Sequence, residues 1–103
     1  MSRIIYVDID DTICYYDVSR VYTEAKPYIA RINKINKLFD EGNVVVYWTA
    51  RGSTTGIDWT EITRSQLESW GAKFTSLLMG KPHYDVYIDD KSINSENYFK
   101  SVK

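Results

Sequence analysis

The chain has 103 residues, of which 44% are hydrophobic and 26% charged, with a formal net charge of −1. This length predicts a single domain, residues 1–103, and the balanced charge argues against a nucleic-acid partner because binding to a phosphate backbone requires a basic surface. No apolar run is long enough to span a membrane and the N-terminus has no signal-peptide pattern, so we expect no membrane partner. The one cysteine, Cys14, cannot form an internal disulfide, which favours a cytoplasmic protein in which Cys14 packs in the interior.

The first predicted element is an apolar strand over residues 3–8, which we expect to be buried. Residues 14–26 are polar and aromatic without a helical period, and we expect an irregular or hairpin-like flap there. Pro27 is suited to the first turn of a helix, and Gly42 to its C-terminal cap. The apolar stripe of this helix consists of Tyr28, Ile29, Ile32, Ile35, Leu38 and Phe39.

A second buried strand is predicted over Val44–Trp48, followed by a loop at residues 51–57. Asp58 and Glu61 predict a capping box for a second helix, which ends at Gly71. The apolar face of that helix consists of Trp59, Ile62, Leu67 and Trp70.

The C-terminal third predicts a short strand at Lys73–Met79, a fourth strand at Tyr84–Ile88 and a closing helix within residues 94–101. Alternation of strands and helices predicts right-handed βαβ units and a parallel sheet. We therefore expect a three-layer α/β sandwich with four or five strands.

Polar side chains follow each predicted strand. They are Asp8 and Asp10 after the first, Thr49 after the second, Lys81 after the third, and Asp89 and Asp90 after the fourth. Because the carboxyl ends of parallel strands share one edge of the sheet, we expect these groups to converge. Acids, a hydroxyl and a lysine together suit the handling of a phosphoryl group with Mg²⁺, a hard cation that takes oxygen ligands. Taken singly, each also has a structural interpretation as an acidic turn, a helix cap or a solvated lysine.

In order, the chain contains D-x-D-x-T, a strand ending in Thr, a Lys and a strand ending in Asp-Asp. This series, across residues 4–90, resembles the haloacid dehalogenase (HAD) superfamily of phosphohydrolases. Two further stretches, Y-W-T-A-R-G and G-K-P-x-Y-D-x-x-I-D-D-K, are similar to small capless HAD phosphatases associated with bacterial capsule and surface-polysaccharide biosynthesis. The resemblance implies a minimal HAD-like Rossmannoid three-layer α/β sandwich with a short parallel sheet and no cap domain.

The resemblance also implies a Mg²⁺-dependent phosphomonoesterase that works through an aspartyl-phosphate. Asp8 would be the nucleophile, and Asp10 would protonate the leaving group and then activate water. Thr12 would support the turn that places Asp10. Thr49 would hydrogen-bond a phosphoryl oxygen, and Lys81 would neutralise charge on the nucleophile and the phosphoryl group.

The implied metal ligands are Asp8, Asp10, Asp89 and Asp90. The candidate substrate contacts are Asp11, Ala50, Arg51, Tyr15 and His83. The fork of Arg51 suits a phosphate or carboxylate, with a surface salt bridge as the alternative, and His83 is alternatively a loop histidine without a role. The flap side chains that either cover the site or pack on the body are Tyr15, Tyr16, Arg20 and Tyr22.

Without a cap the site should be open, and the resemblance then implies either a bulky substrate or self-association, here as a homodimer or homotetramer. The expected substrate is a small phosphorylated metabolite, such as a sugar phosphate of surface-polysaccharide biosynthesis. One alternative is a non-catalytic phosphate- and Mg²⁺-binding module, and another is a nucleic-acid end phosphatase, against which the balanced charge argues. A signalling receiver domain has similar residue types in a different order, since its acidic pair follows its first strand and its lysine comes last.

Overall fold

A three-stranded parallel sheet forms the centre of the structure, a computed structural model that describes residues 2–102. The elements in chain order are β1 (Ile4–Val7), β2 (Cys14–Tyr15), a 3₁₀ turn (Tyr22–Glu24), β3 (Lys26–Pro27), α1 (Ile29–Asp40), β4 (Val44–Trp48), α2 (Thr60–Ser69), β5 (Ser76–Leu78) and α3 (Ser95–Tyr98). None of the helices within residues 2–102 is long and apolar enough to cross a membrane.

The sheet has the order β1-β4-β5, with all neighbours parallel, as the alternating sequence pattern predicted. Its central strand, β4, is made of β-branched and aromatic residues, which suit a strand flanked on both sides. Val45 and Tyr47 of β4 are fully buried and form the middle of the core. The α/β class expected from the sequence is therefore confirmed, and no cap domain is apparent within the described residues.

Helix α1 packs on the sheet through part of the predicted apolar stripe: Ile32 and Ile35 are buried, whereas Ile29 is 49% exposed. The prediction that Pro27 begins this helix is wrong, because Pro27 lies in β3 and pairs with Cys14 in a small antiparallel ribbon. The N–H of Tyr28 donates to the carbonyl of Ile13 at 2.8 Å, which keeps the chain extended up to the start of the helix. The 14–26 flap is thus hairpin-like, one of the two expected forms.

Helix α2 also departs in detail from the predicted pattern. Leu67 is buried as expected, but Thr63 is buried with it, and Ile62 is 39% exposed. Asp58 accepts hydrogen bonds from the N–H and hydroxyl of Thr60, but the N-cap residue is Trp59 and has no side-chain capping bond, so the predicted capping box of Asp58 and Glu61 is not formed.

The predicted fourth strand, Tyr84–Ile88, is wrong: residues 82–94 are exposed and form no helix or strand. Val86 is 71% and Ile88 93% exposed, so the alternating apolar face of this segment packs against nothing that would stabilise a strand. Consequently β1 is an edge strand with one partner among the described residues, and Ile4 and Tyr6 are 71% and 55% exposed. β1 is therefore buried on one face only, where a buried strand was expected, and the sheet has three strands where four or five were expected.

Candidate functional site

A cavity of about 330 Å³ opens beside the carboxyl ends of β1 and β4. It collects eight of the residues that the sequence selected: Asp8, Asp10, Asp11, Thr49, Ala50, Arg51, Lys81 and His83. Tyr22 of the flap and Tyr84 also line it. The polar side chains that follow the first three predicted strands thus converge as expected, whereas Asp89 and Asp90, which follow the fourth, do not.

The loop after β1 holds its acids in a tight turn. The N–H groups of Thr12 and Ile13 both donate to the carbonyl of Ile9, and Asp11 adopts a left-handed conformation with φ of 63°. A non-glycine residue in this region is uncommon, although aspartate tolerates it better than most residues. The turn leaves Ile9 buried in the core while the flanking carboxylates of Asp8 and Asp10 reach the cavity.

Asp8 lies between a hydroxyl and an ammonium group. The hydroxyl of Thr12 donates to Asp8 Oδ2 at 3.0 Å, and Lys81 Nζ is 3.3 Å from Asp8 Oδ1. Thr12 therefore contacts Asp8 itself, which differs from the expectation that it acts on the position of Asp10. Burial tends to lower the pKa of Lys81, but the charge of Asp8 and the hydrogen bond with Tyr84 outweigh it and hold that pKa above its usual value.

Lys81 is held in place by its own backbone. Its N–H donates to the carbonyl of Thr49 at 3.0 Å, and its carbonyl accepts from the hydroxyl of Ser53 at 2.7 Å. The rings of Trp48 and Tyr84 lie 5.8 and 5.4 Å from the ammonium nitrogen. This lysine is consequently a fixed cation at the edge of the cavity, not a solvated loop residue.

Asp10 forms a two-point ion pair with Arg51. Nε of Arg51 donates to Asp10 Oδ2 at 3.0 Å and Nη2 donates to Oδ1 at 2.8 Å. The hydroxyl of Tyr16 adds a 2.5 Å hydrogen bond to the same Oδ1. Burial alone would raise the pKa of Asp10, but the hydrogen bonds and charge of Arg51, with the bond from Tyr16, hold it below its ordinary value. Asp10 is therefore ionised at neutral pH in this arrangement.

Arg51 departs from both interpretations drawn from the sequence. Its side chain is completely buried, so it forms no surface salt bridge, and its N–H groups are directed to acceptors inside the protein. The sequence points to Arg51 only through its position two residues after Thr49. It does not identify Asp10 as the partner, because the carboxylate that a bidentate arginine binds is known only from the folded chain.

The flap aromatics divide between the site and the body of the protein. Tyr15 packs against Tyr28, with ring centroids 4.8 Å apart, and does not line the cavity, so the expected substrate contact from Tyr15 is not formed. Tyr22 does line it, over the guanidinium of Arg51 at 4.8 Å. Arg20 forms an exposed ion pair with Asp11 at 2.7 Å.

Thr49 is the most buried of the polar residues that line the cavity. Its hydroxyl accepts from the N–H of Arg51 at 3.2 Å, which ties the end of β4 to the loop that follows. Ala50 and His83 also line the cavity, with His83 on the exposed rim, and their contact with a substrate stays a prediction.

Only two of the four expected metal ligands, Asp8 and Asp10, line the cavity. Asp89 and Asp90 are exposed and do not line the cavity, and Asp89 instead accepts the N–H of Lys91 at 2.9 Å. The carboxylate of Asp10 is occupied by Arg51. Across residues 2–102 no group of three or more histidine, cysteine or acidic side chains is placed to hold a metal ion. The exposed segment before Asp89 and Asp90 forms no strand, and it leaves these two acids outside the cavity that Asp8 and Asp10 line.

Comparisons with known proteins support the fold and give no information about the chemistry of the site. No family model and no curated protein matches the chain. A crystal structure of an MCSG target from Vibrio cholerae is similar with a TM-score of 0.81, covering 95% of this chain and 87% of that chain at 24% sequence identity. A likeness at this identity establishes that the chain has a small Rossmann-like α/β fold.

Proposed function

We propose that the chain is a phosphomonoesterase in which Asp8 accepts the phosphoryl group. The observation that carries this proposal is the position of the Asp8 carboxylate at the cavity, 3.0 Å from the hydroxyl of Thr12 and 3.3 Å from Lys81 Nζ. A carboxylate held between a neutral donor and a fixed cation is oriented for attack while the cation offsets the charge of an incoming phosphate.

The proposed reaction has two steps. In the first, an oxygen of Asp8 forms a bond to phosphorus, the phosphorus–oxygen bond to the leaving group breaks, and the leaving oxygen takes a proton from protonated Asp10. In the second, Asp10 removes a proton from water, the water oxygen attacks phosphorus, and Asp8 is released with inorganic phosphate. The lowered pKa of Asp10 favours the second step, in which it must be ionised, and makes its protonated form a minor species for the first.

The proposal includes Mg²⁺, although the ligand set is incomplete. Asp8 would supply one oxygen, and the Asp89–Asp90 pair would supply others only if the exposed segment before it changes position. When bound, the cation would neutralise charge on the phosphate and on Asp8. No step above depends on it.

For the substrate we propose a small phosphorylated metabolite, such as a sugar phosphate of surface-polysaccharide biosynthesis. The open cavity of about 330 Å³ has the rings of Tyr22 and Tyr84 on its wall, which suit a ring-shaped leaving group.

Self-association as a homodimer or homotetramer is part of the proposal, supported by the exposed apolar residues of β1 and of the 82–94 segment. A cytoplasmic location is supported by the one unpaired cysteine, Cys14.

A second candidate function is a non-catalytic phosphate-binding module. The observation in its favour is that both carboxylate oxygens of Asp10 already accept hydrogen bonds from Arg51, and one also accepts from Tyr16. Such a module would bind phosphate beside Lys81 without turning it over.

Phosphate release from a panel of sugar, nucleotide and amino-acid phosphates, with Mg²⁺ and with EDTA, tests the proposal. Oligonucleotides with a terminal phosphate are included, and salt-insensitive activity on a small phosphate alone excludes a nucleic-acid end phosphatase. We expect release that is lost in Asp8→Asn. Binding of phosphate or vanadate by calorimetry without release from any substrate would favour the binding module and refute the phosphatase.

A further inference from the structure

Arg51 directs its guanidinium donors to groups within the protein. Beyond the two bonds to Asp10, Nη1 donates to the hydroxyl of Thr63 at 3.1 Å and to Gln66 Oε1 at 2.6 Å. The remaining N–H of Nη2 faces the hydroxyl of Tyr16 at 3.5 Å, a long contact. Every guanidinium donor therefore has an internal acceptor, and none is left for a substrate.

The two partners of the ion pair differ in exposure. The side chain of Arg51 is 0% exposed, whereas that of Asp10 is 21% exposed at the cavity. Burying an arginine is costly unless it is paired and hydrogen-bonded, and such a pair is often no more stabilising than apolar residues of the same volume. The arrangement is thus better explained by the fixed orientation that it imposes on the exposed carboxylate than by stability.

Helix α2 supplies the rigid side of this arrangement. Thr63 and Gln66 lie one turn apart on the face of α2 that meets the loop after β4. Gln66 also donates through Nε2 to the carbonyl of Tyr22 at 2.6 Å, and the Tyr22 ring stands over the Arg51 guanidinium. The orientation of Asp10 and the position of the flap therefore share one set of hydrogen bonds.

We propose that Arg51 is a positioning residue that clamps the Asp10 carboxylate for proton transfer, with α2 as the anchor of the clamp. This inference rests on the proposed phosphatase function. The planar fork matters because its two parallel bonds fix the rotation of the carboxylate as well as its place, which the single ammonium of a lysine cannot do.

The test compares Arg51→Lys and Arg51→Ala with Arg64→Ala, a matched control on the exposed face of α2. For both Arg51 variants we expect kcat to fall about 100-fold while KM changes less than about threefold, because the clamp acts on the proton-transferring group and not on the substrate. Added guanidinium at millimolar concentration should restore part of kcat to Arg51→Ala and none to Arg51→Lys. Arg64→Ala should retain the kcat of the wild type.

A double-mutant cycle in thermal unfolding tests the contact without activity. The melting-temperature loss of Asp10→Asn combined with Arg51→Ala should be smaller than the sum of the two single losses. Additive losses would overturn the clamp. If the Arg51 variants do not fold, the test uses Gln66→Met, which removes one acceptor of Nη1. A Gln66→Met kcat equal to that of the wild type would overturn the clamp.

The two proposals fail in different ways. An active wild type together with an Arg51→Lys variant within threefold of its kcat would overturn the clamp and leave the phosphatase standing. A wild type that releases no phosphate from any substrate would overturn both.

Discussion

Replacement of Asp8 by asparagine should abolish turnover and leave the fold intact. The amide has nearly the shape of the carboxylate but is a very poor nucleophile, so we expect kcat to fall by at least about 10³-fold. At about 1.36 kcal/mol per factor of ten, this loss corresponds to roughly 4 kcal/mol in activation free energy.

The effect of the same change on stability follows from the contacts of Asp8. The carboxylate is 36% exposed and 3.3 Å from Lys81 Nζ, so the ion pair contributes at most about 1 kcal/mol to the free energy of unfolding. The asparagine carbonyl can still accept the hydroxyl of Thr12, which now donates at 3.0 Å. We therefore expect the melting temperature to change by less than about 8 °C, the shift that 1 kcal/mol causes in a domain of this size.

The assay measures phosphate release and thermal unfolding of three proteins: the wild type, Asp8→Asn and the control Asp40→Asn. Asp40 forms an Asp–Lys pair with Lys73 at 2.9 Å far from the cavity, so its replacement removes a similar ion pair without touching the site. We expect the control to retain full activity. Activity of Asp8→Asn within tenfold of the wild type, or equal losses in both variants, would refute the assignment of Asp8 as nucleophile.

Four further outcomes are expected. Tyr47→Phe should stabilise the protein by about 1 kcal/mol in chemical denaturation, because the buried hydroxyl has no hydrogen-bond partner among residues 2–102; destabilisation would mean that the hydroxyl is satisfied. Gly52→Ala should lower the free energy of unfolding by about 2 kcal/mol or more, since its Cβ would lie 2.1 Å from a backbone oxygen. Gly56→Ala, also at positive φ but in open space, should lower it by about 1 kcal/mol. Equal losses in the two variants would contradict the close approach at Gly52. Burial and the charge of a neighbouring carboxylate raise the pKa of Cys14 to about 12, so a thiol reagent at pH 8 should label it only in denaturant, and rapid labelling of the native protein would contradict its burial. Saturating Mg²⁺ should raise the free energy of unfolding by roughly 1–3 kcal/mol and slow hydrogen exchange at residues 84–88. Both effects should be lost in Asp89→Asn. A wild type whose stability and hydrogen exchange do not change with Mg²⁺ would exclude the expected metal site.

Much of the fold could be predicted from the sequence, because the signals are local. The apolar spacing of residues 28–39 is a helical period and the β-branched run at Val44–Trp48 is a strand. The strand forms where predicted, and the helix begins at Ile29, two residues after its predicted start. Gly42 and Gly71 mark the ends of the two long helices, and each has positive φ. The rule that parallel strands end on one edge then suffices to predict that Asp8, Thr49 and Lys81 lie close together, and all three line one cavity.

The tertiary structure alone decided which partners these groups have. The alternating pattern of Tyr84–Ile88 is typical of a strand, but a strand forms only where a neighbour offers a ladder and a covered face, and the described structure provides neither. The same holds for Arg51, whose sequence position gives its charge and its fork but not its acceptors, since those come from the first loop, the flap and α2. Local periodicity is encoded in neighbouring residues, whereas pairing between distant side chains depends on the burial and distances that only the packed chain establishes.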